Sequence, residues 1–144
     1  MAFCYRGGRC CDCDCCAKST WKVQAAGIQG TNCANLNALY VFDMRQSEAL
    51  ESGREACIRR LILPPVAVGP WQFYPQLVVT HRCIEEYVRE ISFKLGGAWW
   101  RFTDSSQEKF NCAALIDANY PLTLFQLDPG LCSDNPNPTA VLVA

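Results

Sequence analysis

Residues 87–103 read Tyr87-Val88-Arg89-Glu90-Ile91-Ser92-Phe93-Lys94-Leu95-Gly96-Gly97-Ala98-Trp99-Trp100-Arg101-Phe102-Thr103. Two periodicities compete before the glycines. Ile84, Tyr87, Val88, Ile91 and Leu95 follow helical spacing, whereas Tyr87, Ile91, Phe93 and Leu95 share one face of a strand. The glycine pair decides between them. Gly96-Gly97 accepts positive φ at both central positions of a two-residue hairpin turn. Residues 99–103, rich in aromatic side chains, are then the return strand. The stretch reads as a β-hairpin, with a short helix over about residues 84–88 as the alternative.

Working outward, most of the chain reads as strand. Residues 20–26 alternate, with Trp21, Val23 and Ala25 on one face and Lys22 and Gln24 on the other. Residues 32–37 form a turn cluster around Cys33. Residues 39–42 are a second strand, 57–63 a third stopped by Pro64-Pro65, and 77–80 a fourth. Residues 46–54 are polar, contain Gly53 and read as a loop. Pro70 and Pro75 flank Trp71-Gln72-Phe73-Tyr74, which suits a sheet edge. Further strands are expected at 110–116, 122–127 and 139–144. Residues 128–130 are expected as a turn, and 135–138, Asn-Pro-Asn-Pro, as a stiff connector. Eight or nine short strands separated by turn signals predict an all-β, antiparallel β-sandwich, immunoglobulin-like or jelly-roll.

The chain of 144 residues is long enough for one domain with a real core. Half of it is apolar and 19% is charged, which excludes a disordered chain. A formal charge of -1 argues against a dedicated nucleic-acid binder. No run approaches the ~18 apolar residues of a membrane span. The first six residues, Met1-Ala2-Phe3-Cys4-Tyr5-Arg6, lack the apolar core of a secretory signal.

The 11 cysteines are the outlier. Cys4, Cys10, Cys11, Cys13, Cys15 and Cys16 crowd an N-terminal arm, residues 1–18, with too few aliphatic residues to build a core. Cys33, Cys57, Cys83, Cys112 and Cys132 are spread through the body, residues 19–144. The arm's thiols can cross-link by disulfides to the body or another subunit, hold zinc or another soft metal, or stay reduced. The separated Cys-x₂₋₄-Cys pairs of zinc folds are missing, so no metal or other cofactor is firmly expected. The five body cysteines are disulfide candidates, with simple burial as the plainer reading.

Catalytic signals are sparse. His81 is the single histidine. It shares a strand face with Cys83, but a surface or capping role is expected rather than a nucleophilic pair. Glu48, Glu51, Glu55, Glu85, Glu86 and Glu90 alternate with Arg54, Arg59, Arg82 and Arg89, which reads as a solvated, ion-paired face rather than acid–base machinery. Neither Gly7-Gly8 nor Gly96-Gly97 has the context of a phosphate loop. Trp71, Trp99, Trp100 and Tyr74 can form a sugar-binding platform, with core and interface packing the expected role. No catalytic residue is assigned, and no enzymatic activity is expected.

Three features together resemble small Cys-rich, immunoglobulin-like β-sandwich proteins of planctomycete-like and environmental bacteria that form extracellular fibrils. The first is the Cys cluster leading into an alternating strand. The second is Cys33 followed by Leu36-Asn37-Ala38-Leu39-Tyr40-Val41, similar to a Cys…Leu-Asn-Gly-Thr-Tyr-Val pattern. The third is the Gly-Gly-x-Trp hairpin with a later Phe110-Asn111-Cys112 and a terminal strand. The resemblance implies a self-assembling structural subunit of a pilus-like fibril, located outside the cell or on its surface. There the N-terminal strand of one copy completes the sandwich of the next. Residues 19–26 would be that donor strand, with Trp21, Val23 and Ala25 at the assembly interface. Copies of the chain itself, in a helical homopolymer, are then the expected partners. Neither nucleic acid nor a membrane span is expected; contact with a glycan or host surface is left open. The alternatives are a phage virion protein (tail tube or capsid decoration) and a metal-binding module using the arm. Lack of a signal sequence suits the virion; the cysteine content suits an exported fibril.

Overall fold

Twelve strands pair antiparallel among the residues that the computed structural model describes, namely 20–25, 28, 33–52, 55–83, 86–106, 119–127 and 139–143. They are β1 (Thr20–Gln24), β2 (Leu39–Asp43), β3 (Glu48–Ser52), β4 (Ala56–Ile62), β5 (Val66–Val68), β6 (Trp71–Phe73), β7 (Gln76–Cys83), β8 (Tyr87–Leu95), β9 (Ala98–Ser106), β10 (Asn119–Pro121), β11 (Thr123–Leu127) and β12 (Thr139–Val143). Four form one sheet in the order β10-β12-β1-β2, six a second in the order β11-β9-β8-β7-β4-β3, and β5 and β6 a separate hairpin. This is an all-β, sandwich-like architecture.

The hairpin over 87–106 is the backbone of the larger sheet. β8 pairs with β9 from Tyr87–Ser106 through to Leu95–Ala98. Gly96 and Gly97 both have positive φ, 61° and 88°, as a tight two-residue turn whose twist matches the strands requires. Tyr87 and Val88 lie in β8, so the helical alternative fails there; the turn outcompetes the helical spacing because β8 pairs over nine residues with β9 and over eight with β7.

Alternation along each strand separates core from surface. Trp21, Val23, Tyr40 and Phe42 are buried on one sheet, and Leu77, Val79, Ile91, Phe93, Leu95, Ala98 and Trp100 on the other. Phe93 joins them. Its ring centroid lies 5.8 Å from Tyr40, 6.0 Å from Phe42 and 5.9 Å from Trp100, tilted or edge-on as aromatic quadrupoles prefer.

Three expectations need correction. Residues 48–52 are a strand rather than loop, because β3 pairs along β4 with Glu48 opposite Arg60 and a register shift between Ala49 and Glu51. The polar composition reflects an edge position rather than the absence of pairing. β5 and β10 were likewise hidden by their three-residue length and neighbouring prolines. The strand extending from residue 77 runs from Gln76 to Cys83, so His81 is part of β7. Expectations for residues 110–116, 128–130 and 135–138 lie outside the described residues, as do those for the arm. No helix among the described residues is long and apolar enough to cross a membrane.

Candidate functional site

Trp21, Val23 and Ala25 face the interior of the chain's own sandwich; Trp21 and Val23 are fully buried. β1 sits between β12 and β2, with Trp21 opposite Phe42 and Leu142. The connection from β1 to β2 is pinned. Ala25 N donates to Ala38 O at 3.0 Å, Ile28 N donates to Asn37 Oδ1 at 2.8 Å, and Asn37 Nδ2 donates back to Ile28 O at 3.0 Å. Between these pins a 3₁₀ turn, Cys33–Leu36, buries Cys33 and Leu36. The three residues expected at an interface between subunits are therefore core residues within a single chain.

The outer side of the same sheet is different. Tyr40 and Phe42 point into the core, so period-2 alternation turns Leu39 and Val41 outward, where they are 51% and 46% exposed. Among the described strands β1 is the only partner of β2, which leaves β2 an edge. Its first four residues carry no charge. The edge at β3 instead carries Glu48 and Glu51, with Glu48 accepting from Arg60 Nε at 2.7 Å. Charge on an edge strand discourages pairing with another chain; an uncharged, apolar edge invites it.

Both ends of β2 are fixed. The Tyr40 hydroxyl donates to Leu36 O at 2.6 Å, and burial pushes its pKa up to about 12. Asp43 caps the 3₁₀ turn Met44–Gln46 by accepting from Arg45 N, and its carboxylate accepts from Arg45 Nε at 2.8 Å. The Arg45 hydrogen bond holds the Asp43 carboxyl below the ordinary range. Beyond that turn, Arg59 donates to Ser47 Oγ at 2.7 Å and Ser47 O at 2.6 Å, tying the crossover between the sheets to β4.

The other sequence candidates disperse. Trp100 is buried in the core, while Trp71 and Tyr74 are exposed, so the four aromatics do not form one platform. His81 is buried rather than at the surface, because its position in β7 turns it inward with Leu77 and Val79. Arg89 is fully buried, not part of a solvated face. These two stand directly opposite each other, with Cys57 opposite His81 and Asp104 opposite Arg89. Arg89 Nη2 lies 3.6 Å from Asp104 Oδ2. Cys57 is disulfide-bonded, as is Cys33, so the sulfur opposite His81 is not a free thiol for nucleophilic chemistry. The side chain of Cys83 and all of Cys112, Cys132 and the six arm cysteines lie outside the described residues. Among the described residues no group of three or more His, Cys, Asp or Glu is arranged to hold a metal ion.

No protein-family model matches the chain, and no curated protein or solved structure does either.

Proposed function

We propose that this protein is a self-assembling structural subunit of an extracellular, pilus-like fibril, with no catalytic turnover. The observation that carries the reading is the edge of β2, which among the described strands pairs with β1 alone and where Leu39 and Val41 stand half-exposed. A second chain entering there gains main-chain hydrogen bonds, and the two apolar side chains set its register. An open filament needs a heterologous contact. β2 and β10 are the outer strands of one sheet, so pairing β2 of one copy with β10 of the next extends that sheet from subunit to subunit. Disulfide bonding of Cys33 and Cys57 supports an oxidising location.

Exchange of β1 between copies is a costlier form of the same reading. It recreates the same strand pairs between chains, but it must first separate the pinned connection at Ala25–Ala38 and Ile28–Asn37. The test is electron microscopy of concentrated, oxidised protein beside the Val41→Lys variant. Filaments in the parent and single particles in the variant are expected. Filaments of native form in Val41→Lys refute assembly through β2, and a parent that stays monomeric at high concentration refutes the fibril itself.

A further inference from the structure

A row of side chains crosses the outer face of the larger sheet at the end where the Gly96-Gly97 turn lies. Ile62 is opposite Gln76, Gln76 opposite Lys94, and Lys94 opposite Trp99. The first three of these, on adjacent strands at ~4.8 Å spacing, make a floor about 10 Å wide, with Trp99 beyond Lys94. Gln72, Phe73 and Tyr74 rise beside it, and the Gly96-Gly97 turn forms a lip without side chains. Together they enclose an open groove of about 480 Å³, within the size range of small-ligand sites.

The chemistry of the lining is selective. Gln72 and Gln76 each offer a donor and an acceptor. Tyr74 is 53% exposed and presents an aromatic face beside them. Among the described residues of the lining Lys94 is the only charged side chain, and Lys94 Nζ lies 5.6 Å from the Trp99 ring centroid. No ion pair joins Lys94 to a carboxylate among the described residues, so its charge is available to a ligand. Amides, an aromatic face and one ammonium together match a hydroxyl-rich ring that bears a carboxylate.

We propose that this groove binds a short acidic saccharide, with a uronate carboxylate on Lys94, ring hydroxyls on Gln72 and Gln76, and a sugar face against Tyr74. The site is separate from the β2 edge and stands whether or not the chain polymerises. The chain's formal charge of -1 and the single cation among the described residues of the groove disfavour a nucleic-acid backbone as the occupant.

The experiment is calorimetric titration of the full chain with oligogalacturonate, a neutral glucan of equal length and single-stranded poly-U. The uronate is expected to bind more tightly than the glucan or poly-U, and less tightly as salt is raised. Lys94→Gln and Tyr74→Ala are each expected to weaken it about tenfold or more, as loss of a charge-assisted contact or a stacking face implies. Tyr74 is exposed, whereas Lys94 is partly buried with its ammonium over the Trp99 ring, so Tyr74→Ala should leave thermal unfolding unchanged and Lys94→Gln should lower it only slightly; thermal unfolding of both serves as the folding control. No uronate binding, equal affinity for the glucan, tighter binding of poly-U, or uronate binding indifferent to both substitutions overturns the proposal.

Discussion

Replacing Trp21 by Ala separates a strand that belongs to its own chain from one held by a neighbour. Trp21 is fully buried, opposite Phe42 on one side and Leu142 on the other. Truncating a buried tryptophan removes its transfer free energy and leaves a cavity, a loss of about 3–5 kcal/mol. A domain of this size has only about 5–15 kcal/mol of stability in total. With a urea dependence near 2 kcal/mol/M, the unfolding midpoint should fall by about 2 M. The assay is urea unfolding followed by circular dichroism at two widely separated protein concentrations, disulfides intact. Because β1 pairs within the chain, the midpoint of parent and variant should be independent of concentration, with the full difference present in dilute monomer. A dilute monomer whose midpoint Trp21→Ala leaves unmoved refutes this reasoning. A parent midpoint that climbs with concentration refutes it too, and assigns the strand to an exchanged position.

Three further outcomes follow from other parts of the fold. The Tyr40 pKa is raised in the folded chain, so its contribution is complete below about pH 10 and is lost as pH rises from about 10 to 12; a shift of two units corresponds to at most about 3 kcal/mol. Alkaline unfolding curves should show this decline in the parent and lack it in Tyr40→Phe. Arg59→Ala removes both hydrogen bonds to Ser47 and should cost about 1–3 kcal/mol in chemical unfolding, with Arg59→Lys recovering part of it. Alkylation in denaturant without reductant should leave Cys33 and Cys57 unlabelled, and reduction should lower stability by about 2–4 kcal/mol per bridge lost.

Deleting residues 1–26 bears on the same question as Trp21. Removal of β1 takes away the strand that joins β12 to β2, so the remaining chain should lose its smaller sheet rather than present a ready-made groove. Protein that stays folded after this deletion, with native circular dichroism, contradicts the central place of β1.

The amino-acid sequence by itself determined the fold class and the strongest elements. Alternation at Trp21, Val23 and Ala25 marks β1 because period 2 is a local property of a half-buried strand. The Gly96-Gly97 pair marks its hairpin because positive φ at two successive residues is a local steric demand. Edge strands such as β3 and β10 lack that signature, since solvent on the open side permits polar residues and proline. What only the tertiary structure decided is which face meets which neighbour. His81 and Arg89 look like surface residues in a charged stretch, yet register turns both inward and sets them opposite each other. Leu39 and Val41 look like core, yet their strand ends the sheet and they point outward. Ile62, Gln76, Lys94 and Trp99 are scattered over 38 positions and share a row only because four strands align. Burial periodicity is written residue by residue along one strand, whereas an edge, a register row or a groove exists only between strands, and strand order depends on pairings between distant parts of the chain.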